Sequence, residues 1–438
     1  MQVRAGEIGR GMEYYRTKKL IPGPGGIAAE VPGSKSITNR ALILAALSSG
    51  ECRLSGALFS DDSRAVLSCL ERLGFYVEAD EGAKEVVIRG LSGDIPDRGA
   101  EIDVRSAGTA ARFLTVMLAF AGGKYTLRSS PQMEKRPMRP LLDELRKAGV
   151  RIGCLKNDGC FPFVLESDGI REGSMSIDTD VSSQFASAIM LCASVARGGL
   201  SLTLTGGRPG GAYIAITERM LGQFGIRYEK DGPRYRFLPG QSYALPAYAV
   251  EPDFSAADYF YAMGALLGTR AEVKGIRLSS MQGDRKFLHV LEGMGCRVFP
   301  GREGIALEGP GKLSGVSVNM NDFSDQALTL AAIAPFASSP VEISGIGHIR
   351  RQECDRIRAM SVNLSAMGVR TEEREDGITV FPCEEIRPAE IETFGDHRVA
   401  MSFAVAGTKC GNLAIGNPGC CAKTFENFFG VLDGLYNT

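Results

Sequence analysis

The sequence predicts an α/β protein of two similar domains, each made of three copies of one structural unit. Its 438 residues are enough for two or three domains. A helix–glycine–strand pattern recurs five times along the chain, and a sixth helix of the same kind stands at its end. Because six units of roughly 70 residues exceed one small core, a division into three plus three is expected.

Each copy of the pattern reads as a helix with one apolar face, a glycine at its end and two strands. In the first copy the apolar residues at helical spacing are Val66, Leu67, Leu70 and Leu73. A glycine then stands where a helix end favours a left-handed residue. The five glycines are Gly74, Gly149, Gly225, Gly295 and Gly368, at intervals of 75, 76, 70 and 73 residues. Alternating residues around a charged turn predict a strand pair after each glycine, with the second strands VVIRG, FPFVLES, YRFLPG, GIALEG and GITVFP.

The last unit lacks strands, because the chain ends with its helix, KTFENFFGVLDGL. We expect the N-terminal segments around YRTKKLI and GIAAEV to complete this unit. Residues 1–33 and 252–438 would then form one discontinuous domain, and residues 34–251 a domain inserted into it. Two ordinary α/β domains with a coincidental period are the alternative. The residues before Tyr14 are expected to be a disordered lead-in.

The composition is that of an ordinary globular protein, with 44% hydrophobic and 23% charged residues and a net charge of −1. This balance argues against a general nucleic-acid or membrane-surface binder, and no apolar stretch is long enough to span a membrane. The 11 cysteines lack framework spacing and the three histidines are far apart. Disulfides and a zinc site are therefore not expected, and the sequence predicts a cytoplasmic protein that needs no metal.

Residues suited to anion binding precede several apolar helices of the first predicted domain. In PGSKSITNR, Ser34 or Ser36 could cap the following helix, and Ser36 and Arg40 lie four apart on one face. Other such groups are Ser106 and Arg112 in SAGTAAR, Ser182, Ser183 and Gln184 in SSQF, and a basic patch of Arg128, Lys135, Arg136 and Arg139. Each could equally be an ordinary helix start or a solvated surface.

The second predicted domain has a similar set. Asp325 stands before the apolar run ALTLAAIA, where a helix dipole keeps a carboxylate ionised. Glu353 and Arg356 are three apart, and we expect them on one helical face. His397 is flanked by Asp396 and Arg398, and Lys423 precedes the final helix. If the helix starts of both domains face each other, the cleft between them attracts small, multiply anionic substrates.

The motifs PGSKS-x3-R, SAGTAAR, EKRP, SSQF, DQALT, ECDR, DHR and CAKTF occur in the order found in the 5-enolpyruvylshikimate-3-phosphate synthase family. From about residue 20 to its end, the chain resembles this family. The resemblance implies three βαβαββ units in each domain, arranged as an inside-out α/β barrel, with the active site in the interdomain cleft. It implies transfer of the enolpyruvyl group of phosphoenolpyruvate to the 5-hydroxyl of shikimate-3-phosphate through a tetrahedral intermediate, on the way to chorismate. Phosphate is released, and the expected enzyme is a monomer without a cofactor.

The resemblance also implies residue roles. The expected shikimate-3-phosphate contacts are Ser36, Arg40, Ser182, Ser183, Gln184, Tyr213, Asp325 and Gln352. The expected phosphoenolpyruvate contacts are Lys35, Ser106, Gly108, Arg136, Gln184, Arg356, Arg398 and Lys423. Asp325 would take the proton of the attacking hydroxyl, and Glu353 with Lys35 would protonate the methylene carbon, assisted by His397.

Three positions depart from the family pattern. Ser106 stands where Asn is usual, Gln352 where Lys is usual, and His348 near where many members have Asn. Gln352 removes a positive charge beside the substrate. We therefore expect weaker phosphoshikimate binding than in a Lys-bearing member, or compensation by Arg350 or Arg351.

Two alternative functions are kept. One is the related transferase that acts on UDP-N-acetylglucosamine, but its reactive cysteine has no counterpart in residues 131–139. The other is a catalytically impaired family member that acts as a binding protein, which the change at Gln352 keeps open.

Overall fold

The structure, a computed structural model, describes residues 13–207 and 210–437, so the expected N-terminal lead-in lies outside the described residues. It confirms an α/β fold built from several small mixed sheets. Each of the five repeat glycines has a positive φ, between 82° and 103°, as a left-handed helix end requires. The five predicted strand pairs all form.

The elements up to residue 250 follow in chain order. They are β1 (Tyr14–Arg16), β2 (Ile27–Ala29), α1 (Lys35–Leu47), β3 (Ser49–Ser55), α2 (Asp61–Arg72), β4 (Tyr76–Asp80), β5 (Glu85–Leu91), β6 (Glu101–Asp103), α3 (Gly108–Ala121), β7 (Gly123–Arg128), α4 (Pro131–Glu134), α5 (Arg139–Lys147), β8 (Arg151–Cys154), β9 (Phe163–Ser167), β10 (Glu172–Asp178), α6 (Ser183–Cys192), β11 (Gly199–Thr205), α7 (Ala212–Gln223), β12 (Tyr228–Asp231), β13 (Arg234–Phe237) and β14 (Ala247–Ala249).

The remaining elements are α8 (Phe254–Leu267), β15 (Arg270–Lys274), α9 (Lys286–Gly293), β16 (Arg297–Pro300), β17 (Gly304–Glu308), β18 (Ser317–Asn319), α10 (Ala327–Ile333), β19 (Val341–Ser344), α11 (Arg356–Ala366), β20 (Thr371–Arg374), β21 (Gly377–Val380), β22 (Ala389–Ile391), α12 (His397–Cys410), β23 (Leu413–Gly416) and α13 (Phe428–Tyr436). Short 3-10 turns lie at Ala193–Val195, Gly283–Arg285, Ser324–Gln326, Ala334–Phe336, Gly347–Arg351 and Pro418–Lys423.

The sheets repeat one plan, in which a parallel pair is followed by two antiparallel pairings. Within the described residues the strand orders are β14-β3-β5-β4, β6-β7-β9-β8, β10-β11-β13-β12, β2-β15-β17-β16, β18-β19-β21-β20 and β22-β23-β1. The strand order and the intervening helices correspond to βαβαββ units, with a shorter last sheet.

The N-terminal segments join two different units, which corrects one expectation. Tyr14–Arg16 pairs with β23 of the last unit, as expected, but Ile27–Ala29 pairs with β15 in the fourth unit. The corresponding strand of the first unit is β14, which pairs with β3. The reason is that the chain crosses from one part of the molecule to the other after β2 and crosses back after β14. Each of these strands therefore stays in the part that the chain is leaving.

The buried apolar residues form two clusters. One is drawn from residues 37–250 and is called the first half below. The other, the second half, is drawn from residues 20–31 and 254–432. Helices α1, α3 and α6 are buried almost throughout in the first half, and α8, α10 and α12 in the second. The domain limits given above stay a prediction.

The two connections between the halves run side by side. Ser34 N–H donates to the Glu251 carbonyl at 2.8 Å, and Asp253 N–H donates to the Pro32 carbonyl at 2.8 Å. A Cβ at Gly33 would lie 1.9 Å from the Gly56 carbonyl oxygen, so only glycine fits there. The two halves are therefore joined by two adjacent, closely packed chain segments.

No helix in the described ranges is long and apolar enough to cross a membrane. All 11 cysteines are free thiols.

Candidate active site

A cleft of about 1550 Å³ lies between the two halves and is lined by helix starts from both. Most of the predicted site residues meet there. They are Lys35, Ser36, Arg40, Arg136, Ser182, Ser183, Gln184, Tyr213, Asp325, Gln352, Glu353, Arg356, His397 and Arg398. Ser106, Gly108 and Lys423 lie behind this lining rather than in it.

Arg40, on α1, is a buried cation without a carboxylate partner among the described residues. Only 1% of it is exposed. Its Nε donates to Thr217 Oγ1 at 2.8 Å, and its other nitrogens donate to Ser187 Oγ and to two backbone carbonyls. Burial lowers the pKa of the guanidinium to about 10, so the charge is retained at neutral pH but is not neutralised. A buried unpaired cation facing a cleft is suited to binding an anion.

Arg112 and Arg136 approach each other across Gly108, at the start of α3. A Cβ at Gly108 would lie 2.9 Å from Arg136 Nη1 and 3.0 Å from Arg112 Nη1, so a side chain there would displace both groups. Burial, together with the charge of Arg136, holds the pKa of Arg112 well below its usual range. Two guanidinium groups this close favour an anion between them.

The expected cap of α1 is wrong. Neither Ser34 nor Ser36 caps this helix; Asp253 Oδ2 instead accepts from the Lys35 N–H at 3.1 Å. The other oxygen of Asp253 caps α8 through the Ala256 N–H at 3.0 Å. One carboxylate thus ties together the starts of two helices from opposite halves. By contrast, Ser182 does cap α6, accepting from the Gln184 N–H at 3.2 Å.

In the second half, Arg356 lies at the centre of a carboxylate network. Its Nε donates to Asp396 at 2.7 Å, its Nη1 to Asp325 at 2.8 Å and its Nη2 to Glu353 at 3.0 Å. Gln352 Oε1 also accepts from Nη1. Burial opposes the charge of Arg356, but the three carboxylates outweigh it and raise its pKa.

The helical placement expected for Glu353 is wrong, although its contact with Arg356 forms. Residues 352–355 are not helical, and α11 begins only at Arg356. Glu353 Oε1 also contacts Lys423 Nζ at 3.2 Å. Burial opposes ionisation of Glu353, but Lys423, Arg356 and Arg136 outweigh it and hold its pKa well below its usual range. With these cations as neighbours, Glu353 is therefore a carboxylate.

Asp325 is saturated by donors from both halves. Besides Arg356, Tyr213 donates to Asp325 Oδ2 at 2.5 Å and Arg398 Nη2 lies 2.9 Å from the same oxygen. Burial opposes ionisation, but Arg398 and Arg356 lower the pKa of Asp325 to about 2. The tyrosine belongs to the first half, so this contact closes the cleft at its base.

His397 is 1% exposed, and neither ring nitrogen has a hydrogen-bond partner among the described residues. Burial, with Lys35 and Arg398 nearby, holds its pKa well below the usual value. The ring is therefore neutral at the cleft wall. Lys35, also on this wall, contacts Asp62 at 3.7 Å, and burial lowers its pKa.

Several predicted residues point elsewhere. The Ser106 hydroxyl is 2.7 Å from the Ser130 hydroxyl. The expected basic patch is dispersed, because Arg128 pairs with Glu101 and Arg139 with Asp158 at the surface. The final helix begins at Phe428, so Lys423 lies in the 3-10 turn before it.

Sequence reasoning missed Asp284, Asp62 and Asp253. Asp284 lines the cleft and is 7% exposed. Its only local signal is a Gly-Asp pair at the start of a short helical stretch, which is common in proteins. No group of histidines, cysteines or carboxylates in the described residues is placed to hold a metal ion.

The family model described as EPSP synthase (3-phosphoshikimate 1-carboxyvinyltransferase) matches residues 25–432. The chain is 41% identical over 401 residues to the 3-phosphoshikimate 1-carboxyvinyltransferase of Trichormus variabilis, covering 91% of this chain and 94% of that protein. It is 40% identical over 411 residues to the enzyme of the same name from Aeromonas salmonicida, covering 93% and 96%.

Solved structures share the fold. EPSP synthase from Acinetobacter baumannii superposes with a TM-score of 0.79 at 24% identity, over 95% of this chain and 97% of that one. The enolpyruvyl transferase NikO from Streptomyces tendae gives 0.71 at 19% identity, over 96% of each chain. These findings do not favour the UDP-N-acetylglucosamine alternative. Matched over residues 25–432 and at about 40% identity to such relatives, the chain belongs to the EPSP synthase (3-phosphoshikimate 1-carboxyvinyltransferase) family.

Proposed function

We propose that this chain transfers the carboxyvinyl group of phosphoenolpyruvate to the 5-hydroxyl of 3-phosphoshikimate and releases phosphate. The observation that carries the proposal is that one cleft holds two buried arginines with opposite surroundings. Arg40 has no carboxylate partner among the described residues, whereas Arg356 is held by three carboxylates. The first suits a phosphorylated acceptor, and the second places acid–base groups beside it.

The acceptor would bind against the first half. Its phosphate would meet Arg40, Ser36, Ser182 and Ser183, and Gln184 would extend the same wall. Support comes from two observations on the described residues: no carboxylate pairs with Arg40, and the buried Oε1 of Gln184 has no hydrogen-bond partner among them. Tyr213 and Asp325 would hold the ring hydroxyls, and Gln352 would approach from the other side.

Phosphoenolpyruvate would bind between the halves. The charges of Lys423, Arg356, Arg136 and Lys35 all act on Glu353, and Arg398 lines the same cleft. Gly108 leaves room for Arg136, and Ser106 would contribute from the start of α3. The phosphate and carboxylate of phosphoenolpyruvate would neutralise these cations. Because those cations hold Glu353 ionised, neutralising them raises its pKa toward that of a usable acid.

The reaction would then need a proton acceptor at the hydroxyl and a donor at the methylene carbon. Asp325 would orient the hydroxyl and receive its proton, and Glu353 with Lys35 would protonate C3 of phosphoenolpyruvate. His397, which is neutral and has no hydrogen-bond partner among the described residues, would assist by hydrogen bonding. Elimination of phosphate from the tetrahedral adduct would return the proton from C3.

Movement of the two predicted domains, 1–33 with 252–438 and 34–251, would close the cleft and exclude water. A monomer acting in the cytoplasm fits this proposal, since one chain supplies every proposed group.

The test is phosphate release from phosphoenolpyruvate with 3-phosphoshikimate, with unphosphorylated shikimate and with UDP-N-acetylglucosamine as separate acceptors. We expect release with 3-phosphoshikimate and at most a trace with shikimate, because Arg40 would lack its anion. Release only with the UDP-sugar would overturn the proposal. Binding of both substrates by calorimetry without release would leave the binding-protein alternative.

A further inference from the structure

Asp284 is a second carboxylate at the base of the cleft, and it differs from Asp325 in one respect. Asp284 Oδ2 accepts from Ser255 Oγ at 2.7 Å. Its other oxygen, Oδ1, has no hydrogen-bond partner in the described ranges 13–207 and 210–437. Both oxygens of Asp325, in contrast, are taken by Arg356, Arg398 and Tyr213.

Asp284 lies on the wall that the cleft shares with a second cavity. Asp284 lines the large cleft and also a smaller adjoining cavity of about 450 Å³. Lys35, Ser36, Tyr213 and Arg398 line both spaces as well. Asp325 also lines the large cleft, and its charge acts on Asp284, so a proton released near Asp325 lies close to Asp284 within the same cleft.

The surroundings of Asp284 make it the better base of the two. Burial, with the negative charge of Asp325, raises the pKa of Asp284 to about 7, whereas Arg398 and Arg356 lower that of Asp325 to about 2. A base is most effective when its pKa is near the working pH. The charged or titratable groups acting on Asp284 are Asp325, Arg398, Asp253, Asp258 and Tyr213.

We propose that Asp284 is the terminal acceptor of the hydroxyl proton, with Asp325 orienting the hydroxyl and passing the proton on. This inference rests on the proposed function. The O–H bond of the 5-hydroxyl of 3-phosphoshikimate breaks, and its electron pair forms the new bond to C2 of the enolpyruvyl group. The proton passes to Asp284 Oδ1. When phosphate departs it takes up this proton, which restores the carboxylate.

Asp284→Asn tests the assignment directly. We expect kcat for phosphate release to fall by about 10²-fold or more, the range for losing a general base, while 3-phosphoshikimate binding by calorimetry is retained. The matched control is Asp322→Asn, because Asp322 is an aspartate on the same cleft wall that pairs outward with Lys286 at 2.6 Å. That control should keep kcat near the unaltered value.

The pH profile separates a proton acceptor from a merely structural residue. In the unaltered chain kcat should fall as the pH drops below about 7, where Asp284 becomes protonated. This fall is the acid limb of the profile, and the Asp284→Asn enzyme should not show it. Ser255→Ala removes a hydrogen bond that favours the carboxylate, so the limb should move to higher pH with kcat above the limb retained.

An Asp284→Asn enzyme with kcat within threefold of the unaltered chain would overturn the inference, as would a limb that Ser255→Ala does not move. If Asp284→Asn fails to fold, the Ser255→Ala profile alone decides. Absence of phosphate release by the unaltered chain would instead contradict the proposed function itself.

Discussion

Arg40 and Arg356 are both about 1% exposed and line the same cleft, yet their surroundings are opposite. Arg40 touches hydroxyls and carbonyls, whereas Arg356 touches Asp325, Glu353 and Asp396. A buried charge without a partner is unfavourable, and one surrounded by carboxylates is held in place. The first half thus leaves a charge for the ligand to neutralise, and the second half holds its own acid–base groups.

The largest effect should follow from Arg356→Met. Removing this cation leaves three buried carboxylates without their common partner. The free energy of unfolding should fall by about 3–5 kcal/mol, the range for breaking a buried ion pair. Activity should fall by about 10³-fold or more, because Asp325 and Glu353 lose their position. Urea unfolding and phosphate-release kinetics measure the two effects, and an unchanged stability would contradict the network.

Arg40→Met gives the opposite combination. We expect the KM for 3-phosphoshikimate to rise by about 10²-fold, since a charge-assisted contact to the phosphate is lost. Stability should stay equal or rise, because a desolvated cation without a counterion is replaced by an apolar side chain of similar length. A clear loss of stability would mean that Arg40 serves the fold rather than the ligand.

The pH dependence of stability sharpens the comparison within the second half. The folded pKa of Asp325 is lowered, to about 2, below its usual 3.8. Its contribution to stability is therefore complete above about pH 4 and is lost as the pH falls toward about 2. Unfolding free energies across this range should fall more steeply for the unaltered chain than for Asp325→Asn. Parallel curves would contradict the lowered pKa.

The smallest effect is expected at Gln352. Of the two arginines expected to compensate for it, Arg350 is held by Asp355 at 2.9 Å and Glu373 at 3.0 Å. Arg351 lines the cleft and has no ion pair among the described residues. Gln352→Lys should lower the KM for 3-phosphoshikimate by less than about tenfold, the scale of one exposed charge contact.

A double-mutant cycle checks this compensation. Arg351→Ala should raise the KM for 3-phosphoshikimate several-fold in the unaltered chain. The rise should be smaller in Gln352→Lys, because the new lysine would already supply the positive charge that Arg351 provides. Unchanged Michaelis constants in Gln352→Lys would count against any role for this position in binding. Arg350→Ala is the comparison, and it should affect stability rather than KM.

Local chemistry accounts for what the sequence predicts well. The glycine after each repeat helix needs a left-handed conformation, so Gly74 and its equivalents mark the units without any tertiary information. Local motifs likewise mark Arg40, Asp325 and Arg356 as candidate site residues, and the structure brings all three to one cleft. These signals depend on neighbours within about four residues along the chain.

What the sequence leaves out depends on distant contacts. Asp253 replaces the expected serine cap of α1 from 218 residues away. The three-residue strand Ile27–Ala29 is too short to specify a partner, so the sequence predicts it in the last unit, although it pairs with β15 of the fourth. Asp284 is an ordinary acidic residue until folding brings it near Asp325, with Oδ1 free of hydrogen bonds from any described residue.

The central claim is that Arg40 binds the phosphorylated substrate and that Arg356 positions the acid–base groups. Calorimetry tests it most directly, by titrating 3-phosphoshikimate without phosphoenolpyruvate into the unaltered chain, Arg40→Met and Arg356→Met. The account predicts that Arg40→Met weakens binding by about 10²-fold and that Arg356→Met, compared under conditions where it is folded, weakens it by less than about tenfold. Full affinity in Arg40→Met, or an equal loss in both variants, would contradict it.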